Sequence, residues 1–408
     1  MSQKDGIVHL QDLPENKVSI KLPNSIQKSM IDTALKISNI NELSRILSIS
    51  KTTVYDFRNS RQESIIFSTV KKISSLLVNN SHKEFSLENL ETKIELIRAK
   101  SNGNPVYYPK FPINFNTKEG FEIISSILFD DGIARSTLRP FYTNNEESLV
   151  NRFVSNVNIV VGEIIPYKRL DKRTDTYQVE LPKILGYILV DGLDLIPGRK
   201  VLNNPSISEF ILNGNEIFQK AFLQQTFDDE RSSVCYRKCI EFSQYRTENK
   251  PPLRLIQLKG IIERLGIRTN KISFVEVRKT KKGYLSYGWI LTITNQVDIK
   301  IFKEKINFSL ERKKKKLENL LNSYTSKPMV KRFTATEEAL KICEKLKSEN
   351  KSITIYNVSK ESNKSRRYTA RLMIKMLKEN KLQIVKPKTM LRTGGSKPKE
   401  FKIATMVV

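Results

Sequence analysis

Histidine is almost missing from this sequence. The 408 residues contain two, His9 and His82, and neither has ligand or triad company near it. Cysteine is nearly as scarce. Cys235 and Cys239 form one close pair with no second pair to match it, and Cys343 stands alone. A zinc ribbon and a disulfide scaffold are therefore excluded. Long apolar runs are missing too. No segment approaches the about 18 uninterrupted apolar residues of a membrane-spanning helix, and the opening MSQKDGIVHL has no signal-peptide core. Any catalysis is left to carboxylates, lysines or a hard metal held by oxygen. A soluble, cytoplasmic protein is expected.

Acidic residues are the next shortage. There are 43 Asp and Glu against 71 Lys and Arg, a net charge of +28. So large an excess implies a polyanionic partner, most simply nucleic acid, with an anionic membrane surface as the competing sink. Association with the nucleoid is expected on this ground. Hydrophobic residues make up 39%, enough for real cores, and the length allows roughly two to four domains.

Three regions differ in pattern. In the first, residues 1–100, the stretch NELSRILSISKTTVYDFRN (Asn41–Asn59) places Leu43 and Ile46 at helical spacing. A short turn, Ser48-Ile49-Ser50, precedes a second helix with Val54 and Phe57 on its buried side. This layout resembles a helix-turn-helix, whose second helix lies in the major groove. Lys51, Thr52, Thr53 and Tyr55 are then the candidate DNA contacts; a plain helical hairpin is the alternative. The last region, residues 328–408, carries 20 Lys and Arg against 7 acids, a net +13. A helix over Thr336–Glu349 is followed by a second helix, a Ser/Asn turn and a long helix that starts with Arg366, Arg367 and Arg371. LRTGGSKPKEFKI then reads as a hairpin with its tip at Gly394-Gly395 and with Lys397 and Lys399 on its arm. Three helices and a basic hairpin resemble a winged helix.

The middle region, 105–325, contains an internal echo. FEIISSILFDDGIA (Phe121–Ala134) and AFLQQTFDDER (Ala221–Arg231) are apolar helical runs that end in consecutive acids, with Asp131 and Glu230 99 positions apart. Such a period suggests two copies of one fold. After the second run, SSVCYRKCIEFSQ reads as a strand and LIQLKGIIERLGI as a helix. KISFVEVRKTKKGYLSYGWILTITN reads as a hairpin turning at Lys282-Gly283, and DIKIFKEKIN as a last helix. IARSTLRPFYT, SLVNRFVSNV and GEIIPYKRLDKRTDTYQVEL fill the same slots in the first copy.

ISSILFDDG (Ile124–Gly132) and LQQTFDDER (Leu223–Arg231) resemble the paired nine-residue motifs of the LAGLIDADG homing endonucleases, in the double-motif, single-chain form. FPINF (Phe111–Phe115) and LGYILVDGLDLIPGRKVLNNPSISEFI (Leu185–Ile211) resemble the segments that lead into the two motifs. INFSLERKKKKLENLL (Ile306–Leu321) resembles the closing elements. The resemblance implies an α+β fold: a pseudo-twofold saddle of two αββαββα halves, flanked here by the helix-turn-helix and winged-helix modules. It implies an acid from the eighth motif position of each half, Asp131 and Glu230, and Mg²⁺ between them with Gly132 and Arg231 alongside. It also implies double-stranded DNA as partner and a monomer with internal pseudo-dimer symmetry. Two close carboxylates repel unless a cation sits between them, and Mg²⁺ takes oxygen ligands, waters and phosphate oxygens. Lys313 is expected near the scissile phosphates, with a solvated helix face or a plain phosphate contact as the alternative, and Gln244 as a water-ordering residue.

The motifs also depart from the family pattern. The third and seventh positions, usually small, face the partner helix; they are Ser126 and Asp130 in one copy, Gln225 and Asp229 in the other. A Gln at the seam should widen it or demand a hydrogen-bond partner. The closing glycine is Arg231 in the second copy, where a left-handed backbone would cost arginine about 1–2 kcal/mol. A third look-alike, Ile184–Gly192, ends in Asp191 only 60 positions after Asp131 and is read as the terminal helix and loop of the first half. A free-standing or intron-encoded protein is expected rather than an intein, since neither end offers the splicing residues. The expected activity is metal-dependent cleavage of duplex DNA. A non-cleaving transcription regulator on the same core and an RNA-splicing maturase are the alternatives, so RNA is a second possible partner.

Overall fold

The computed structural model describes residues 5–100, 103–130, 132–172, 174–229, 234–235, 238–280, 283–324, 335–386, 389–390, 396–397 and 400–404. Asp131, Glu230, Arg231, Lys282, the Gly394-Gly395 tip and Lys399 lie outside these residues. The chain forms two compact units, Met1–Tyr324 and Thr325–Val408.

The first unit opens with strands β1 (Ile7–Val8) and β2 (Val18–Lys21) and helices α1 (Asn24–Ile37), α2 (Ile40–Leu47) and α3 (Lys51–Arg58). Strand β3 (Ile65–Ile66), helices α4 (Phe67–Asn79) and α5 (Leu87–Glu91), and strand β4 (Leu96–Ala99) follow. Local chemistry sets the α2–α3 turn. Asn39 caps α2 by accepting from the Glu42 amide, Ser48 ends it in a left-handed conformation, and Ser50 caps α3 by accepting from the Thr53 amide at 3.0 Å. Leu43, Leu47, Val54 and Phe57 are buried. Leu47, four residues after Leu43, takes the inward place expected of Ile46, which is 36% exposed.

The middle of the chain runs through β5 (Val106–Tyr107), β6 (Ile113–Asn114), α6 (Lys118–Phe129), β7 (Gly132–Ile133), β8 (Pro140–Asn144) and α7 (Glu147–Val160). Then come β9 (Glu163–Ile164), β10 (Tyr167–Asp171), β11 (Thr176–Glu180) and α8 (Lys183–Tyr187), which widens into a π-turn over Ile188–Gly192. The short helices α9 (Lys200–Asn203) and α10 (Glu209–Leu212) lead to α11 (Glu216–Asp229), β12 (Val234–Cys235), β13 (Cys239–Arg246) and α12 (Leu253–Arg264). Strands β14 (Ser273–Lys279) and β15 (Leu285–Ile293) and helices α13 (Gln296–Lys305) and α14 (Glu311–Asn322) complete the unit.

Topology reveals the repeat. One four-stranded sheet has the order β10-β11-β8-β7 and another β14-β15-β13-β12, with every pair antiparallel. Each half is thus a helix, a hairpin, a helix, a hairpin and a helix, with its strands in the same spatial order. SSVCYRKCIEFSQ, expected as one strand, supplies the pair β12 and β13. Gly283 has φ +86° at the β14–β15 turn, a left-handed angle that glycine adopts without a Cβ clash.

The sequence boundary near residue 100 is not a boundary of packing. Strands β3, β2, β4, β5 and β9 form one sheet in that order, so β9 leaves the first half's hairpins and joins the N-terminal strands. One continuous hydrophobic core runs from Val8 through Phe57 and Phe121 to Leu320.

The second unit contains α15 (Ala335–Ser348), β16 (Ile353–Thr354), α16 (Ile355–Glu361), α17 (Arg366–Lys378), β17 (Leu382–Lys386), β18 (Thr389–Met390), β19 (Ser396–Lys397) and β20 (Glu400–Ile403). Its sheet order is β16-β20-β17. Cys343, Leu346, Met373, Met376 and Phe401 form a core of their own. Burial pushes the Cys343 thiol up to about 11, so it stays protonated and inert at neutral pH. No described helix is long and apolar enough to cross a membrane.

Candidate active site

The centre of the first unit is the pair α6 and α11, packed side by side. Thr117 starts α6 by accepting from the Gly120 amide at 3.0 Å. From Phe121 to Phe129 every residue is buried, because α11, α7 and the sheet each cover a face. Small hydroxyl residues let the helices approach. Ser125 Oγ donates to the Phe222 carbonyl at 3.0 Å and lies 2.7 Å from Thr226 Oγ1, and Ser126 Oγ donates to Asp229 Oδ2 at 3.0 Å. Around this seam Phe129 meets Phe222 and Phe242, and Phe227 meets Phe242 and Phe302, with ring centroids 4.9–5.8 Å apart. Each fully buried ring contributes about 1.5–3 kcal/mol.

Gln225 does find partners. Its amide donates to Asp229 Oδ1 at 2.8 Å and its oxygen accepts from Arg152 at 2.5 Å. Arg152, on α7 of the first half, also donates to Ser309 Oγ at 2.8 Å and lies 3.6 Å from Asp228 and 3.9 Å from Glu122. One guanidinium therefore ties three elements of both halves. Asp130, the seventh position of the first motif, is exposed and accepts from Asn144 Nδ2 at 3.4 Å; it does not occupy the seam as Asp229 does.

Asp229 accepts from the Tyr142 hydroxyl at 2.5 Å as well as from Gln225 and Ser126. Burial pushes its carboxyl up to about 6; the three hydrogen bonds pull the other way, and the charge of Asp228 adds to the rise. The folded state thus holds this proton to higher pH than the unfolded chain does. The resulting stability is full below the unfolded value of 3.8 and is lost as pH rises through about 6. Asp229→Asn keeps the shape and removes the charge. Unfolding free energies measured in urea from pH 4 to pH 7 in EDTA are expected to fall for the wild type relative to this variant, by about 2.5 kcal/mol. Parallel curves would contradict it.

Two buried cations hold the carboxyl ends of the paired helices. Lys313 Nζ, on α14, donates to the carbonyls of Phe227 at 2.6 Å and Asp228 at 2.8 Å. Arg254, on α12, donates to the carbonyl of Leu128 at 2.7 Å. Leu128 and Phe227 are equivalent in the repeat, 99 positions apart. Both cations face terminal carbonyls and the negative end of a helix dipole. Lys313 is 2% exposed, not on a solvated helix face, and its ammonium fixes a helix end. Gln244 lies buried in β13, opposite Trp289.

Gly132 sits in strand β7, paired with Phe141, and has no left-handed backbone angle. The first copy therefore makes no use of glycine's conformational freedom at Gly132; the backbone cost expected at Arg231 falls outside the described residues. A Cβ on Gly132 would come within 3.6 Å of Lys200 Cε. Lys200 was not anticipated. It follows the start of α8 by the same 17 positions by which Lys313 follows the start of α13, and each comes directly after an arginine, Arg199 or Arg312. That shared Arg-Lys pair was the available signal. A cavity of about 800 Å³ opens here, with Asp130, Gly132, Arg135, Arg199, Lys200 and Arg254 in its wall.

Other expected contacts are spread over both units. Lys51, Thr52 and Tyr55 of α3 are exposed, while the Thr53 hydroxyl lies 2.8 Å from Ser50 Oγ within the cap. Arg366, Arg367 and Arg371 of α17 are exposed, and Arg366 stacks 4.7 Å over the Tyr356 ring. Lys397 is in β19. Among the described residues, no group of three or more His, Cys, Asp or Glu could hold a metal ion.

A duplicated α+β unit with two motif helices paired at its centre is the class of arrangement that fold and site define. No protein-family model matches the chain, and no curated protein matches it. Among solved structures it is similar to those of the homing endonuclease I-DmoI. Mesophilic variants of that protein align at a TM-score of 0.32 and 15% identity, covering 48% of this chain and 97% of theirs. I-DmoI in complex with DNA and Mn aligns at 0.31 and 16%, covering 48% and 98%.

Proposed function

We propose that this chain is a site-specific, metal-dependent endonuclease of double-stranded DNA, built as a LAGLIDADG-type core with added DNA-reading modules. The observation that carries it is the seam. Ser126 bonds Asp229 across the two halves, so Asp131 and Glu230 follow directly from helices whose ends lie together. Their carboxylate oxygens are the donors a hard cation prefers. With no further acidic cluster among the described residues, waters and phosphate oxygens would complete the shell of Mg²⁺ held by Asp131 and Glu230. Such an ion supplies an activated water and stabilises the leaving oxygen of a phosphodiester.

The chain's own groups do the rest. Lys313 and Arg254 fix the helix ends that carry the acids. Lys200, Arg199 and Arg135 present positive charge to a phosphate entering the cavity beside Gly132. Arg231, in the place of the second glycine, adds a phosphate contact, and Gln244 orders water. The α2–α3 pair acts as a helix-turn-helix through Lys51, Thr52 and Tyr55. The second unit acts as a winged helix through Arg366, Arg367 and Arg371, with Lys397 and Lys399 on its hairpin. A regulator that binds without cutting, and an RNA partner, are outcomes of the test. That test is selection of a duplex from a random pool, followed by incubation with Mg²⁺ and a scan for cut strands.

Deleting residues 328–408 tests the second unit separately. Each phosphate it neutralises contributes about 0.9 to the slope of log K against log salt. The slope is expected to flatten by several units, measured by anisotropy on the selected duplex. An unchanged slope would show that the +13 charge faces elsewhere.

A further inference from the structure

The attachment of the N-terminal helices to the first half has a consequence for how a duplex is read. A module on a tether leaves exposed linker between itself and its core. Residues 5–100 are joined to the first half at several buried places instead. β4 pairs with β5 and β5 with β9, so one antiparallel sheet contains strands of both parts. β1 pairs with β6, and the Phe115 amide donates to the Gly6 carbonyl at 2.7 Å.

Side chains close the same joint. Val8, Leu10 and Leu13 are at most 3% exposed. Val8 lies so close to the π-turn after α8 that a Cβ on Gly192 would come within 2.6 Å of it. Gly162, at φ +136°, lets the chain pass Tyr107, where a Cβ would come within 2.8 Å of a backbone oxygen. Within residues 5–100, buried Glu91 accepts from the Leu10 amide and lies 2.9 Å from His9 Nδ1, which ties the N-terminal segment to α5. From this joint to α3 the contacts stay closed. β2 lies beside β4, α4 packs on α1, and α1 holds α3 through Val54, Phe57 and the Arg58–Asp32 ion pair. Close-packed interiors of this kind move as one body.

We infer that α3 and the paired-helix site form one rigid reader of duplex DNA, in which the base pairs met by Lys51, Thr52 and Tyr55 stand at a fixed spacing and helical phase from those over the ends of α6 and α11. This rests on the DNA-binding reading above. It extends the target on the side of the first half, because β9, α8 and its π-turn all belong to that half. B-DNA turns once in about 10 base pairs. An inserted base pair therefore both shifts and rotates the outer segment, and five inserted base pairs present its opposite face.

The test uses the full chain in EDTA and the duplex it selects. Hydroxyl-radical footprints of wild type and of the double variant Lys51→Ala, Thr52→Ala identify the base pairs that α3 protects. One, five or ten base pairs are then inserted between that segment and the rest of the footprint. Each insertion is expected to lower affinity to that of the double variant on the original duplex, a loss of about tenfold or more. The double variant should lose nothing further on the inserted duplexes. Wild-type affinity retained with the outer protection displaced by the inserted length would overturn the rigid reader while leaving DNA binding intact. A footprint unchanged in the double variant would overturn it as well. Failure to select any duplex would sink the DNA-binding reading itself, and this inference with it.

Discussion

Asp131→Asn and Glu230→Gln are each expected to slow Mg²⁺-dependent strand cleavage by about 10²–10³-fold or more, with duplex affinity in EDTA unchanged or raised. Both substitutions keep the side-chain shape and remove one negative charge. Removing that charge weakens the hold on a divalent cation and eases repulsion of the DNA phosphates. Neither substitution touches Lys200, Arg199 or Arg135, the proposed phosphate contacts, so binding and cutting are expected to separate. Single-turnover cleavage together with a mobility shift reads both quantities on one preparation. Mg²⁺-dependent cleavage retained at the wild-type rate in both variants would remove the site assignment.

Arg152→Met is expected to destabilise the first unit by about 3–5 kcal/mol, the usual effect of removing one partner from a buried charge network. Asp228 is 1% exposed and Glu122 is 6% exposed, and Arg152 lies between them. Asp228 keeps the Ser309 amide at 2.9 Å and its hydroxyl at 2.5 Å, so the seam loses its counter-charge but not every donor. Arg152→Lys should rescue little, because one ammonium cannot reach Gln225, Ser309 and Asp228 together. Urea unfolding decides it; a loss under about 1 kcal/mol would show that the halves are held by the apolar seam alone.

The repeat was legible because both motif helices combine an unusual apolar run with terminal acids, and because their followers keep the same order. The α2–α3 turn was legible from Ser48 and Ser50, whose capping chemistry is local. What escaped depends on distance along the chain. Arg152 and Gln225 are 73 positions apart, and no periodicity links them, so the sequence showed that the Gln at the seam needed a partner or a wider seam but not which residue supplies the partner. Strand β9 is two residues long and carries no alternating pattern, and its place beside β5 is decided by packing. Ile46 and Leu47 were exchanged because a short helix fixes its inward face only when docked. Gly132 shows a different failure. Glycine at a motif's end suggested a left-handed turn, but the chain there is already in a strand, and the nearest side chain to its absent Cβ is Lys200.

In the proposed function, one chain carries two halves of a single DNA-cleaving site. The most direct measurement is the mapping of both 5′ ends after the full-length protein meets its selected duplex, with Mg²⁺ and with EDTA. One cut in each strand, both inside the protected site and only with Mg²⁺, is the predicted result. Saturated binding with both strands intact at every Mg²⁺ concentration would contradict it.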